Sequence, residues 1–429
     1  MTEEFLQFIW NHKLFDKQNL YSTKGDRIEV LDVGKQNRDA GPDFFDARIQ
    51  INGVLWAGNV EIHIKSSLWY QHNHQQNSSY DNVILHVVYE EDIDVTINEG
   101  RKLPCLLLKF DLNLLENYNY LMHSSKWIPC YDEITSVEKF FVRNWLDRMI
   151  FERLERKSED VKKVLELNKN SWEETFYQVL ARYFGMRVNA DPFQQLAQVL
   201  PLKILAKQKN SLFQIEALLF GQAGMLFDSI DDDYYIKLQS EYQFLSNKYK
   251  LRPLPAHRWK WLRLRPGNFP TIRIAQLAAL IHNSSALFSK VLAGVEVQDL
   301  MRLFNVEVSV YWKTHYQFGI ESKFQNKNLG KMTIHTILIN AVVPCLFCYG
   351  EINRNEDIKE KVLSLLENIP SEKNSIINQW KSCGVEVKTA WHSQALLQLK
   401  LNYCDQSKCL HCEFGNRIIR MKNDSACHK

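Results

Sequence analysis

Carboxylate and imidazole side chains occur close together in the N-terminal part of the chain, at Asp43, Glu61 and His63. Asp43 follows a Gly-Pro pair, which favours an extended entry into the segment after it. Along a strand alternate side chains share a face, so Glu61, His63 and Lys65 point the same way. Two carboxylates held close together repel unless a cation lies between them. These residue types therefore predict a divalent-metal site.

Three further histidines follow this group, two in a polar linker and one, His86, on the apolar segment after it. Histidine is the commonest transition-metal ligand, so the linker pair is expected to join the ligand set. We favour Mg²⁺ or Mn²⁺, and imidazoles also suit Fe²⁺ or Zn²⁺. Two alternatives stay open: solvated linker histidines, and a hydrogen-bonded core role for His86. The predicted metal ligands are Asp43, Glu61, His63, His72 and His74.

The segments around these residues predict a helix followed by a sheet. Residues 3–15 carry apolar side chains at helical spacing, and the period then changes to that of strands. Asn52-Gly53 is typical of a two-residue hairpin, which brings Asp43 near Glu61 across the turn. The main strands are predicted at 27–34, 43–51, 55–65 and 82–90.

From about residue 112 the helical period dominates the chain. We therefore predict an α+β fold class. Residues 1–135 are expected to form a β-rich domain with a mixed sheet. Residues 136–429 are expected to form a mostly α-helical region that carries a cysteine cluster at 404–412.

The N-terminal pattern resembles the PD-(D/E)XK nuclease superfamily, which has a restriction-endonuclease-like fold. That fold has a helix, a three-stranded meander, a further helix and another strand. The resemblance implies that Asp43 and Glu61 hold the metal, while His63 or Lys65 orients or deprotonates the attacking water. Two features depart from the pattern: His63 stands where the superfamily has lysine, and residues 68–81 are a polar linker instead of a helix.

The chain as a whole is identified as a member of a bacterial family known as domain of unknown function 2851. This resemblance implies no activity, so the nuclease hypothesis depends on the residues above. The segments that carry it are AGPDFFDARI, GNVEIHIKSSLW, YDNVILHVVYE, EALLFGQAGML, WLRLRPGNFPTIRIAQLA and NYCDQSKCLHC.

Arginine, lysine and tryptophan alternate in residues 251–273, and Arg38 precedes Asp43. Arginine forks suit phosphate and indoles stack on bases, which predicts nucleic-acid contacts. Alternatively, the tryptophans cap a helical core while the arginines cover its surface, and Arg38 pairs with Asp39. The predicted nucleic-acid-binding residues are Arg38, Arg258, Lys260, Arg263, Arg265 and Arg273.

Three cysteines crowd one short segment as Cys404-x4-Cys409-x2-Cys412. Cys383 is the expected fourth ligand, with His411 and Cys427 as alternatives. Thiolates at such spacing predict a structural zinc ion or a [4Fe–4S] cluster, and buried free thiols are the other interpretation. The odd count of nine cysteines argues against a disulfide scaffold and favours a reducing, cytoplasmic location.

Composition adds few constraints on the partner. A net charge of +3 gives no strong global field, so a local basic groove remains compatible with DNA or RNA. The start of the chain lacks the features of a signal peptide. The longest apolar run, 336–350, is interrupted by Pro344 and predicts a buried helix, so we expect no membrane association.

The leading hypothesis is a metal-dependent phosphodiesterase acting on DNA or RNA. A second is a non-catalytic nucleic-acid-binding or scaffolding protein on a degenerate nuclease fold, as His63 in place of lysine suggests. A third is a histidine-rich metalloenzyme acting on a small molecule. Substrate strandedness and oligomeric state stay open.

Overall fold

The computed structural model describes residues 1–97, 100–294 and 296–421. It divides into two compact units. The sheet unit comprises residues 1–145 together with the segment from Leu399 onward, and the helical unit comprises Leu146–Gln398.

The sheet unit contains one mixed sheet with strand order β1-β2-β4-β5-β6-β7, and β3 pairs with β4. The pairs from β1 to β5 are antiparallel, whereas β6 is parallel to β5 and β7 is parallel to β6. The strands are β1 (Leu20–Tyr21), β2 (Arg27–Asp32), β3 (Lys35–Gln36), β4 (Phe44–Ile51), β5 (Val54–Lys65), β6 (Val83–Glu90) and β7 (Cys105–Leu107).

The β4–β5 hairpin turns at Asn52 and Gly53, whose φ angles of 50° and 84° are those of a two-residue turn with both central residues left-handed. A regular hairpin from this turn would place Asp43 opposite Ile62. A β-bulge between Phe44 and Ala47 shifts the register by one residue, so that Phe44 pairs with Val60. Because strand side chains alternate, the bulge brings Asp43 to the face of Glu61.

Asp46 lies within the bulge at φ 57°, in the left-handed region. Gly34 passes close by, because a Cβ built on it would lie 2.5 Å from the carbonyl oxygen of Phe45. The strand prediction from sequence is confirmed here. The bulge is the added feature that aligns Asp43 with Glu61.

Helix α1 (Glu3–Asn11) begins after Thr2, whose side chain accepts the backbone N–H of Phe5, and it packs on β5. The crossover from β5 to β6 contains the one-turn helix α2 (Leu68–Gln71) and two 3₁₀ turns, His74–Gln76 and Ser78–Tyr80. Beneath this crossover lies a small apolar core formed by Trp69, Tyr80, Val83, Val95, Ile97 and Leu103.

Helices α3 (Leu112–Met122) and α19 (Glu413–Ile419) pack together in the sheet unit. The Asn117 amide donates to the carbonyl oxygens of Ile418, Ile419 and Met421. These bonds explain why the segment after Leu399 belongs with the N-terminal residues. The sequence pattern instead predicts this segment as part of the helical region, with the boundary at residue 135.

The helical unit is built from helices and one short hairpin of β8 (His315–Gln317) and β9 (Ile320–Glu321). The helices α4 and α18 each extend beyond the unit boundary along the chain. The helices are α4 (Lys139–Leu167), α5 (Trp172–Phe184), α6 (Ala190–Val199), α7 (Leu202–Lys207), α8 (Leu212–Gln222), α9 (Asp233–Tyr249), α10 (Pro270–Asn283), α11 (Leu287–Ala293), α12 (Val297–Phe304), α13 (Val310–Thr314), α14 (Lys331–Ile337), α15 (Val343–Ile352), α16 (Glu356–Asn368), α17 (Ser375–Ser382) and α18 (Ala390–Asn402).

The α+β class is confirmed: a mixed N-terminal sheet precedes a largely helical region, and 55% of the described residues are helical. One stretch, Lys331–Ile352, is long and apolar enough to cross a membrane, with a mean hydropathy of 1.7. Its most apolar window is 67% buried inside the protein. A π-helical turn, Leu338–Val342, lies just before Pro344 in this stretch.

Candidate metal centre

Asp43 and Glu61 hold each other in place through the backbone. A Glu61 carboxylate oxygen accepts the backbone N–H of Asp43 at 3.0 Å, and an Asp43 oxygen accepts the backbone N–H of Ile62 at 3.0 Å. The second Asp43 oxygen accepts the side-chain amide of Gln7 from α1 at 2.8 Å. The predicted proximity of the two carboxylates across the hairpin is therefore confirmed.

Glu61 Oε1 lies between two imidazoles. It is 3.5 Å from His63 Nε2 and 3.3 Å from His74 Nε2. The other ring nitrogen of His63, Nδ1, is 2.9 Å from Nε2 of His86. His86 thereby occupies Nδ1 and leaves Nε2 of His63 directed at the carboxylate.

His63, His72 and His74 form a group in which one nitrogen from each lies within 4.8 Å of the others. The chain turns between the two linker histidines at Asn73, whose φ is 59°. The His74 ring stacks on Tyr80 at a centroid distance of 3.9 Å. His63 is buried, His74 is half-buried and His72 is exposed, so the group reaches from the sheet to the surface.

Burial sets the electrostatics of this cluster. Burial, followed by the charge of Glu61, raises the pKa of Asp43 to about 7. Burial also raises the pKa of Glu61 to about 8, although the hydrogen bond from Asp43 opposes the shift. Burial, and then the neighbouring imidazoles, lowers the pKa of His63 to about 2. Neutral imidazoles therefore face carboxylates that resist ionisation until a cation joins them.

Glu3 is a functional candidate that sequence reasoning missed. Its Oε1 is buried without a hydrogen-bond partner among the described residues, and its charge raises the pKa of Asp43 and of Glu61. In the sequence Glu3 is one of two acids in the first turn of α1, where carboxylates favour the helix dipole and give no further signal. The packing of α1 on β5 is what brings Glu3 close enough to act on Asp43 and Glu61.

His86 was expected to be either a ligand or a core residue, and the structure makes it a buried partner of His63. In the parallel register His86 stands beside Glu61. Its own Nδ1 is buried without a hydrogen-bond partner among the described residues. The sequence did not predict this contact, because it does not specify the register between the parallel strands β5 and β6.

Lys65 lies away from this contact network, at the C-terminal end of β5. It forms an ion pair with Glu90 at 3.1 Å, and its side chain is 49% exposed. The parallel register explains this placement, because Lys65 and Glu90 are paired positions. Arg38 is exposed in the loop before Asp43, where the Asn37 amide holds the carbonyl oxygens of Asp39, Ala40 and Pro42.

In the helical unit, the arginine–tryptophan segment 251–273 separates into buried and exposed residues. Trp259 is buried and donates to the carbonyl oxygen of Ala223 at 2.7 Å. Arg273 is also buried, at 4% exposure, and donates to Asn268 and Gln276. This corrects the expectation that Arg273 contacts nucleic acid, because its guanidinium is buried and both of its NH₂ groups donate inside the fold. The other predicted contacts in this segment are exposed: Arg258, Lys260, Arg263 and Arg265.

The predicted cysteine ligands also separate. Cys383 ends α17 in the helical unit and is not among the residues that line the cavity of the C-terminal cysteines. Cys130 lines this cavity with the other three. His411 instead contacts Glu4 at 2.8 Å, and Cys427 lies outside the described residues. The cavity cysteines are Cys130, Cys404, Cys409 and Cys412.

Comparison with known proteins gives one match. The family described as "Protein of unknown function (DUF2851)" matches residues 3–375, which contain every residue of the metal centre. No curated protein and no solved structure matches the chain. The length of the family match is decisive: the chain belongs to the DUF2851 family.

Proposed function

We propose that the chain is a metal-dependent phosphodiesterase that cleaves DNA or RNA at the centre on the sheet. The observation that carries this proposal is the convergence of two carboxylates and three imidazoles on neighbouring strands and their crossover. The proposed metal ligands are Asp43, Glu61, His63, His72 and His74.

The residues fit a divalent cation. Carboxylate oxygens and neutral imidazole nitrogens are donors for Mn²⁺, Fe²⁺ or Zn²⁺, and carboxylates alone suit Mg²⁺. Glu3 Oε1 is buried with no hydrogen-bond partner among the described residues, which is costly without a cation nearby. The raised pKa values of Asp43 and Glu61 have the same origin, because no positive charge offsets their burial.

The order of elements supports phosphodiester chemistry. A helix, three antiparallel strands, a crossover and a strand parallel to the third follow one another from α1 to β6. The PD-(D/E)XK nucleases share this order, with an acid entering the second strand and an acid on the third. Here Asp43 and Glu61 occupy those positions, and α2 with its two 3₁₀ turns stands where that fold has a longer helix.

Each side chain at the proposed centre has its own role in binding the ion or in positioning a ligand. A bound divalent ion would supply a Lewis acid that neutralises phosphoryl charge and activates water. Gln7 orients Asp43, and His86 holds the ring of His63. His63 is buried with a pKa of about 2, so it suits ligation better than proton uptake. His72 is exposed, so as a ligand it would complete the site from the solvent side.

Exposed basic side chains would bind the phosphate backbone. Arg38 lies in the loop that leads into Asp43 and is our proposed phosphate contact at the centre. Arg258, Lys260, Arg263 and Arg265 offer a second basic surface in the helical unit. Their contribution predicts binding that weakens as salt rises.

The test compares wild type with Asp43→Ala and Glu61→Ala on single-stranded DNA, double-stranded DNA and RNA, with Mg²⁺ or Mn²⁺. Asp39→Ala removes an exposed acid from the same loop and is the matched control. We expect cleavage by wild type and by Asp39→Ala, and none by Asp43→Ala or Glu61→Ala. Equal cleavage in all four proteins, or no cleavage by wild type with either ion, would contradict the proposal. Salt-sensitive binding without turnover would instead support a non-catalytic nucleic-acid-binding protein.

A second candidate function is a histidine-rich metalloenzyme acting on a small molecule. The three imidazoles within 4.8 Å favour it, since His₃ sets bind transition metals strongly. Elemental analysis of a variant with serine at Cys404, Cys409 and Cys412 separates the two. Tightly bound iron or zinc retained in that variant, together with no cleavage of nucleic acid, would favour the second candidate.

A further inference from the structure

Four cysteines from two distant parts of the chain meet inside the sheet unit. Cys130 follows Pro129, whereas the other three stand on the turns that precede α19. They line one small cavity that is open in part to solvent. The remaining lining residues are Pro129, Tyr403, Lys408 and Gly415.

All four are thiols, and no disulfide links them. Burial, followed by the charges of the other cavity cysteines, raises the pKa of Cys130 and of Cys404 well above the ordinary value. A thiol with a raised pKa is a poor nucleophile, because the thiolate is the reactive form. Four cysteines around one cavity are instead the donor set that a structural zinc ion or an iron–sulfur cluster takes.

The backbone from Cys409 to Gly415 wraps closely around the cysteine group. Cys412 precedes α19, and the backbone N–H groups of Gly415 and Phe414 lie within hydrogen-bonding reach of its Sγ. Hydrogen bonds of this kind stabilise ligand thiolates. A Cβ built on Gly415 would lie 2.2 Å from the carbonyl oxygen of Cys409, so the close wrapping of this segment requires glycine.

The spacing of the sulfurs distinguishes one metal ion from a cluster. With Zn–S bonds of about 2.3 Å, four thiolates on one zinc ion lie about 3.8 Å apart. Among the described residues, the group of three or more potential ligands within 4.8 Å of one another is formed by histidines, not by these cysteines. The four sulfurs are therefore spread more widely than a single ion requires, although they share one cavity.

We propose that Cys130, Cys404, Cys409 and Cys412 bind a [4Fe–4S] cluster that ties residue 130 to the segment after Leu399. This role is structural and does not depend on the proposed phosphodiesterase activity. The tied segment contacts α1, because His411 bonds Glu4 at 2.8 Å and Arg420 lies over the ring of Phe8. Since α1 also supplies Glu3 and Gln7, the cluster supports the helix that borders the metal centre.

The test is purification of the full chain without oxygen, followed by measurement of iron, acid-labile sulfide, zinc and visible absorbance. We expect iron and sulfide in equal amounts and a visible absorbance that dithionite bleaches. Cys130→Ser and Cys412→Ser should lose this absorbance. Cys383→Ser, which changes another buried cysteine, should keep it.

Three outcomes would overturn the proposal. They are stoichiometric zinc without iron or sulfide, loss of the cluster in Cys383→Ser but not in Cys130→Ser, and wild type that takes up neither iron nor sulfide on anaerobic reconstitution. The last measurement uses only wild type, so it remains decisive if a serine variant fails to fold. Cleavage activity is not measured in any of these experiments, so failure here leaves the phosphodiesterase proposal untouched.

Discussion

The sheet unit contains two ligand groups of opposite chemical character. The metal centre combines oxygen and nitrogen donors on β4, β5 and the crossover, and the exposed His72 opens it to solvent. The cysteine group offers sulfur alone, on irregular turns around a cavity. Catalytic metal sites keep an open position whereas structural sites are closed by protein ligands. The difference leads us to propose chemistry at the first group and a structural role for the second.

The largest expected effect concerns the independence of the two groups. Glu61→Gln should weaken Mn²⁺ binding more than about 100-fold, because it removes charge from a direct ligand. The same variant should retain the iron and sulfide of wild type. Cys412→Ser should show the reverse pattern. Binding titrations measure Mn²⁺ affinity, and metal analysis measures iron and sulfide. Loss of iron together with Mn²⁺ binding in Glu61→Gln would show that the two groups are not independent.

A smaller effect is expected at His86, which contacts a ligand instead of the ion. His86→Asn should weaken Mn²⁺ binding about 10- to 100-fold, because His63 loses the ring that fixes its orientation. His123→Asn, at an exposed histidine on the same unit, is the control. Unchanged affinity in His86→Asn would reduce His86 to a core residue.

The pH dependence follows from the raised carboxyl pKa values of about 7 and 8. Carboxyls of the unfolded chain have a pKa of about 4. Above that pH the folded, metal-free protein therefore retains protons that the unfolded chain has lost. Its stability therefore falls as pH rises through 7 and 8. Metal binding must release these protons, so Mn²⁺ affinity should rise about 100-fold per pH unit below 7, where both carboxyls are protonated, and about tenfold per unit between 7 and 8.

Thermal unfolding and Mn²⁺ titration at a series of pH values test this expectation. His63 adds nothing in the same window, because its pKa is about 2 and its ring stays neutral. The double variant Asp43→Asn, Glu61→Gln should lose the pH dependence of stability. Affinity that falls between pH 6 and 8 would contradict the assignment of these carboxyls as ligands.

On the cysteine side, Gly415→Ala should destabilise the sheet unit by about 1–3 kcal/mol, because its Cβ would clash with the carbonyl oxygen of Cys409. Iron content should fall with it. Gly267→Ala is the matched control, since a Cβ there meets nothing within 4 Å. Chemical denaturation measures both variants, and equal stability would show that the turn has room to relax.

The smallest effect is expected at Lys65. An exposed ion pair contributes about 0–1 kcal/mol, so Lys65→Ala should change stability little. It should also leave cleavage within about threefold of wild type, because Lys65 pairs with Glu90 outside the centre. Loss of cleavage in Lys65→Ala would return this lysine to the catalytic role that the sequence pattern suggested.

The two groups also differ in how far the sequence predicts them. Alternation along β5 and the Asn52-Gly53 turn were sufficient to predict that Asp43 lies near Glu61 and that Glu61 and His63 share a face, because strand period and hairpin geometry are local properties. The bulge at Asp46, which provides the final register, left no recognisable signal. Glu3 was missed because packing of a helix on a sheet is not encoded in either segment alone.

The cysteine group shows the opposite case. Cys404, Cys409 and Cys412 are neighbours in sequence, were predicted together and line one cavity. The predicted fourth residue, Cys383, does not line that cavity, whereas Cys130, which is far away along the chain, does. Arg273 failed for a related reason: the alternation of charge and aromatics in its segment could not show which side chains are buried.

The central claim is that carboxylates and imidazoles bind the same divalent ion. Pulsed electron paramagnetic resonance of Mn²⁺ bound to the protein tests it directly, because nitrogen nuclei of ligating imidazoles couple to the electron spin. We predict nitrogen coupling in wild type, reduced coupling in His72→Ala and no bound Mn²⁺ in Glu61→Ala. Bound Mn²⁺ without nitrogen coupling, or equal binding in wild type and Glu61→Ala, would contradict the claim.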